Sequence, residues 1–377
     1  MINGGLVTTG SLPADTAESR ITTRGAIVWV GIALIVLFVF ISFLSSAYHR
    51  TRRSRAEARY REGITLAQQG KNDQAADDFR AALVYEHDDP KYRFALAKAL
   101  INLGRWEEAD SHLLELEQRD PTNGPINQML ARLATRAGRY DEAIDEYNRA
   151  IYGYWPENPD ENRIATRLEL IQVLDQEGRQ KQVLAELLAL AGEVPENDLD
   201  MRRNVAAMLL AHHSPQHAAE MYRAILSTHP HDASSEQGLG ESDFDLGDYV
   251  SARNAFRAAL RNGAKDPAIT QRIALSEAIL DLDPTLVRLS ANQRRQRAEE
   301  LLRRSLASVS ACTTVPPDLS TAAQKILASK PKRRSEDDTA ETLTLAQELW
   351  ELRQTACAQK PETDQALAAV MAELAKQ

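Results

Sequence analysis

A spacing of 34 residues constrains this chain more than any other feature. Small residues stand at Ala75, Ala109, Ala143, Ala218 and Ala252, with Val183 in the remaining place, in steps of 34, 34, 40, 35 and 34. Four residues after each comes a large side chain: Phe79, Leu113, Tyr147, Leu187, Tyr222 and Phe256. Positions four apart share one face of a helix, so each pair marks the buried side of a helix. Ahead of most pairs lies a glycine turn, at Gly70, Gly104, Gly138, Gly178 and Gly247, with His213 in the fifth place. Prolines at Pro90, Pro121, Pro156, Pro195, Pro230 and Pro267 close the units. A chain built this way folds as a stack of helix-turn-helix units. The two departures, Val183 and His213, predict less regular packing at their junctions.

The pattern is clearest from Ala233 to Pro267, with Leu239-Gly240, then Gly247-Asp248-Tyr249, then Ala252, Phe256 and Ala259. This resembles the tetratricopeptide (TPR) repeat, a helical hairpin that stacks into a solenoid. The expected fold is therefore all-α, a TPR-type solenoid with a helical C-terminal cap, preceded by a single transmembrane helix. Six repeats cover residues 56–267, and a degenerate seventh, holding Ala298 and Leu302, covers 268–306. Abundant Ala, Leu, Glu and Arg favour helix over sheet. Gly240 and Ala252 are expected to let two helices approach, with Phe256 filling the gap to the next unit.

Residues 1–24 are polar and lack apolar periodicity, which predicts a disordered tail. Residues 25–47 carry no charge and are long enough to cross a bilayer, with Trp29 and Tyr48 near the ends. A cleaved signal peptide, with Ser45-x-Ala47 as its cleavage site, is the competing reading. The apolar run exceeds the usual length for such a peptide, so a retained anchor is expected. A basic juxtamembrane segment, 48–55, follows. Six arginines (Arg50, Arg52, Arg53, Arg55, Arg59, Arg61) follow the span against Arg20 and Arg24 before it, which favours a cytoplasmic solenoid. Arginine outnumbers lysine, as in a GC-rich bacterial genome, and the expected home is a bacterial inner membrane.

The remainder, 307–377, reads as a helical cap for the exposed end of the solenoid. An arginine-rich helix over Leu289–Leu306 leads into it and reads as a solvated face. Lys330 to Asp338 reads as a charged linker. Leu345, Ala346, Leu349, Trp350 and Arg353 share one helix face, and Ala366, Leu367, Val370, Met371 and Leu374 another. Cys312 and Cys357 each sit near a helix end in this region. If the tail folds back as a hairpin they can pair, which would argue for an oxidising compartment; otherwise they are unrelated thiols.

A net charge of −9 argues against a nucleic-acid partner. No phosphate loop, Gly-x-Ser-x-Gly elbow or His-Glu-x-x-His is present, so no catalytic residues and no cofactor are expected. His212, His213, His217, His229 and His231 cluster in sequence but fall at opposite ends of one helix, so no metal is expected. What remains is a binding groove. In TPR folds the first helices line the concave face, which implies Lys91, Lys98, Gln128 and Arg132 as groove residues able to grip an acidic peptide. Ile64 departs from the carboxylate-clamp pattern. Tyr152, Tyr154 and Trp155, in the insertion behind the 40-residue step, read either as a partner hot spot or as filling for a widened junction. Binding a protein or peptide is the expected role, with the lipid bilayer engaged through the N-terminal helix. The alternative is a non-catalytic accessory subunit of a membrane enzyme complex, in envelope biogenesis or glycan transfer.

Overall fold

The structure, a computed structural model, describes residues 18–329, 336–359 and 363–376. Seventeen helices are present among them and no strand. The chain divides into two compact units, residues 1–159 and 160–377.

The first unit holds α1 (Glu18–Gln68), α2 (Asn72–Tyr85), α3 (Pro90–Asn102), α4 (Trp106–Arg119), α5 (Gly124–Arg136) and α6 (Tyr140–Ile151). The distal part of α1 pairs with α2, α3 with α4, and α5 with α6, giving three helical hairpins. Each hairpin turn uses the same bond. Lys71 N–H donates to Leu66 O, Arg105 N–H to Leu100 O and Arg139 N–H to Ala134 O, each at 2.9 Å. This bond closes a helix when the preceding residue is left-handed, and Gly70, Gly104 and Gly138 have φ of +76°, +74° and +72°. Ala75, Phe79, Ala109 and Leu113 are buried in one core with Leu96 and Leu100.

Helix α1 begins at Glu18, so the last residues of the expected tail, 18–24, are helical; the rest of that tail lies outside the described residues. From Val28 to Tyr48 α1 is apolar and largely exposed, and the helix is long and apolar enough to cross a membrane by length and composition. The basic segment 48–55 is helical. It is the interior of the same helix, which runs without a break into the first repeat.

The second unit holds α7 (Pro159–Gln176), α8 (Gln180–Glu193), α9 (Leu199–Ala211), α10 (Pro215–Thr228), α11 (Ala233–Asp245) and α12 (Tyr249–Arg261). Their turns repeat the same bond, from Arg179 N–H to Leu174 O, Ser214 N–H to Leu209 O and Asp248 N–H to Asp243 O, each at 2.9 Å. His213 replaces glycine at the fifth turn and still adopts φ +57°, so the turn geometry prevails over the side chain's preference. Ion pairs repeat with the hairpins. Arg223 pairs with Asp243, and one 34-residue step on, Arg257 pairs with Glu277.

Helices α13 (Pro267–Leu282) and α14 (Ala291–Ser310) form a seventh hairpin, with Ala298 and Leu302 buried. The arginine-rich α14 does more than face solvent. Arg297 donates to the carbonyls of Leu280 and Asp283 at 2.6 and 2.8 Å, closing the C-terminus of α13. Helices α15 (Pro317–Ala328), α16 (Glu336–Ala356) and α17 (Gln365–Leu374) fold back on it. Leu345, Ala346, Leu349, Ala366, Leu367, Val370, Met371 and Leu374 share a core with Ile279, Leu301 and Leu302, and Phe244 and Tyr249 pack against it. The stack is thus capped as expected. Most of the charged stretch expected as a linker, residues 330–335, lies outside the described residues. Cys312 and Cys357 are joined in a disulfide.

Candidate functional site

The distal part of α1 and α3 are the first helices of neighbouring hairpins, and a cleft of about 460 Å³ lies between them. Its walls are aromatic. Tyr60 stands with its ring centroid 5.7 Å from Phe79 and 5.1 Å from Tyr92, and Phe94 faces it from α3. Ile64, Ala67, Ala95 and Ala99 supply further apolar surface, because small residues leave the space between the rings open. Lys91 and Lys98 lie on one face of α3, seven residues and two turns from each other.

The two lysines are differently engaged. The Lys91 ammonium sits 4.2 Å from the Tyr60 centroid and 3.4 Å from Glu57 Oε2. Tyr92 donates its hydroxyl to the same carboxylate oxygen at 3.3 Å. Burial first, then the charges of Asp89 and Glu57, push the Tyr92 phenol up to about 12, so it keeps its proton and stays a donor. Lys91 is therefore held by the wall. Lys98 is exposed, lies 5.6 Å from the Phe94 centroid, and meets no carboxylate among the described residues. It is the cation this cleft offers to a ligand.

Of the four residues expected to form the groove, the structure brings Lys91 and Lys98 to one cleft. Gln128 and Arg132 sit on α5, one repeat along, half-buried and exposed respectively, and do not line it. The aromatic walls were missed at the sequence level, although the register contained them: Tyr60 and Phe94 are separated by one 34-residue step.

The insertion aromatics differ in burial. Trp155 is 7% exposed, donates Nε1–H to Ala150 O at 2.8 Å, and lies where a Cβ on Gly124 would meet its ring at 2.5 Å. Tyr152 and Tyr154 are 75% and 67% exposed. The backbone of Tyr154 is nonetheless fixed, donating to Thr122 O at 2.7 Å and accepting from Gly124 N–H at 3.0 Å. The histidines take separate partners. His212 Nδ1 lies 3.1 Å from Gln180, His217 Nδ1 2.8 Å from Ser214 Oγ, and His229 Nδ1 2.9 Å from Thr228. Among the described residues no three His, Cys, Asp or Glu side chains converge on one point.

The tetratricopeptide repeat family model matches residues 47–125, 126–161 and 209–267. This chain carries tetratricopeptide repeats. The stretch the family model passes over, 162–208, contains the fourth repeat, where Val183 and Leu187 replace the small and aromatic positions. No curated protein matches the chain. Among solved structures, YrrB, described as a TPR protein with an unusual peptide-binding site, is 17% identical and covers 53% of this chain and 98% of its own, with TM-score 0.39. A tetratricopeptide repeat protein from Parabacteroides merdae is 15% identical over 78% of this chain and 99% of its own, with TM-score 0.37. PilW, described as a type IV pilus biogenesis factor, is 14% identical over 57% and 97%, with TM-score 0.35.

Proposed function

We propose that this chain is a membrane-anchored scaffold that holds an extended segment of a partner protein in the α1–α3 cleft. The observation that carries the reading is the combination of aromatic walls with one uncommitted cation. Tyr60 and Phe94 offer flat apolar contact, and Lys98 offers a charge to an acidic side chain or a chain terminus. Binding, not catalysis, is the mechanism. The unbroken passage of α1 from its apolar half into the first repeat supports a retained anchor over a cleaved leader, because cleavage after Ala47 would sever a continuous helix.

The side of the membrane rests on two opposed signals. Arginine bias favours the cytoplasm. Three of the six arginines, however, serve the first repeat: Arg52 donates to Tyr85 O, Arg59 pairs with Asp78 at 3.0 Å and Arg61 with Glu57 at 3.1 Å. Their presence is explained without topology. The Cys312–Cys357 link supports an oxidising compartment, and we place the repeats there.

The test of the cleft is a photo-reactive residue at Asn102, on its rim, or at Glu107, on α4, irradiated in native membranes. A discrete protein adduct from Asn102, absent from Glu107 and lost on Lys98→Glu, is expected. Equal labelling from both positions, or none from Asn102, overturns the reading.

A further inference from the structure

Helix α2 runs antiparallel to the distal part of α1 and so carries the chain back toward the apolar half of that helix. It arrives at a definite level. The Arg52 guanidinium donates to the carbonyl of Tyr85, the last residue of α2, and His49 and Arg52 enclose a cleft with the corner Tyr85–Asp89. Arg52 lies five residues beyond Ala47, roughly 7–8 Å along the helix at 1.5 Å per residue. The headgroup layer occupies roughly 5–8 Å on each side of the hydrocarbon. With 25–47 in the bilayer, the α2–α3 corner stands at headgroup depth.

The side chains at that level suit it. Tyr48 is 62% exposed with Arg52 5.8 Å from its ring, and Val84, at the tip of α2, is 75% exposed. Arg50, Arg53 and Arg55 are exposed on α1. The corner carries three carboxylates, Glu86, Asp88 and Asp89, of which Glu86 lines the cleft beside His49 and Arg52. Asp89 accepts from Lys91 N–H at 2.9 Å as the cap of α3, and Asp88 pairs with Arg119 at 3.1 Å. The exposed charges on α1 at this level, Arg50, Arg53 and Arg55, are all cationic and stand with Tyr48 and the bare Val84, a pattern that favours an anionic lipid surface over the opposing charge of the exposed Asp88.

We propose that the α2–α3 corner of the first repeat is a second membrane contact, seating Val84 in the headgroup layer of an anionic bilayer while Arg50 and Arg53 meet lipid phosphates. This rests on the reading of α1 as a retained anchor. Two contacts on one rigid hairpin fix how the first repeat stands on the membrane, where a span followed by a loose linker would let it swivel.

The experiment uses the full chain in nanodiscs of phosphatidylcholine and phosphatidylglycerol, with a diazirine residue at one of three sites. Phe38 reports the span, Val84 the corner, and Asp73 the far end of α2, eleven residues or roughly 16 Å away. Lipid adducts are read by mass spectrometry. Adducts at Phe38 and Val84, with little at Asp73, are expected. Arg50→Glu with Arg53→Glu should lower the Val84 yield by roughly thirty-fold or more and leave Phe38 unchanged, since two basic residues near an anionic surface are together worth about 2 kcal/mol. Adducts at Phe38 without Val84 overturn the corner contact and leave the anchor standing. Equal yields at Val84 and Asp73 overturn it too. No adduct at Phe38 removes the anchor, and the corner contact with it.

Discussion

Cys312, just past the end of α14, and Cys357, just past the end of α16, are joined by a disulfide whose Cα atoms stand 6.0 Å apart. Arg353 strengthens the same junction, donating Nε–H to Ser308 Oγ at 3.2 Å and Nη1–H to Cys357 O at 3.1 Å. The link closes a loop of 45 residues, which restricts the unfolded chain by about 3–4 kcal/mol on the loop-entropy account. Cys312→Ser with Cys357→Ser, or reductant, should therefore lower the melting temperature of the second unit by several degrees. Calorimetry with and without reductant measures this. The cap core of Leu349, Leu367 and Met371 should keep the unit folded. Identical traces would show that the bond contributes nothing to stability.

Glu146 gives a pH dependence. Its Oε1 accepts from Arg149 at 2.7 Å, but Oε2 is buried with no partner, and Arg149 is shared with Glu117 at 2.6 Å. Burial first, then the charge of Glu117, push Glu146 up to about 7. A carboxyl whose folded pKa is raised holds its proton longer when folded than when unfolded. Its contribution is thus full below about 4.5 and is lost as the pH rises to about 7. Glu146→Gln should stabilise the first unit by on the order of 1–3 kcal/mol at pH 8 and change little at pH 4. Denaturant unfolding followed by tryptophan emission at both pH values checks it.

Trp155 and Tyr154 are neighbours with opposite expectations. Trp155→Ala empties the space above Gly124 and removes the side-chain donor to the Ala150 carbonyl, which keeps the Gly153 N–H at 3.2 Å, and should cost about 3–5 kcal/mol. Tyr154→Ser leaves the backbone pairing with Thr122 and Gly124 in place and should change stability by less than about 0.5 kcal/mol. Thermal melts of the two variants decide it. A large loss from the tyrosine variant would mean that its ring is part of the junction.

Much of the architecture was legible because period and packing are one fact here. A helix pair cannot bury its apolar face alone, so each copy must keep Ala252-like and Phe256-like positions in step. The turn at His213 was legible as a departure but not in outcome, since only the backbone shows that histidine accepts the left-handed angle. The cleft was half legible. Register pointed to Lys91, Lys98, Gln128 and Arg132 alike, while the rings that shape the space lay one repeat apart at Tyr60 and Phe94. Register does not say which pair of helices leaves room for a ligand. The basic segment at the junction of span and repeat carried no reading of loop or helix, because a basic run looks the same in either, and only the backbone shows that α1 is continuous there.

The close approach at the sixth repeat also differs from the sequence reading in its partner. Gly240 and Ala252 were expected to let two helices approach, with Phe256 filling the gap to the next unit, but a Cβ at Gly240 would meet the Phe256 ring at 2.7 Å, so the ring packs on Gly240 within its own hairpin. Gly63 stands in the same relation to Phe79, sixteen residues on, where a Cβ would meet the ring at 2.6 Å. In the fourth repeat the same two places hold Ile171 and Leu187, both buried. The rule is complementarity: a ring demands a bare backbone opposite it, and a smaller side chain admits a larger neighbour. Gly240→Ala gains about 1 kcal/mol of helix propensity but drives a methyl into a buried ring, which typically costs 1–3 kcal/mol. The single variant should be neutral to destabilising. Phe256→Leu alone leaves a void and should destabilise. Combined, the methyl fills part of that void, so the double variant should be more stable than the sum of the two by roughly 1–2 kcal/mol. Equilibrium unfolding of all four proteins in this cycle measures that coupling. Strict additivity would mean that Gly240 and Phe256 are not the contact that sets the spacing of this hairpin.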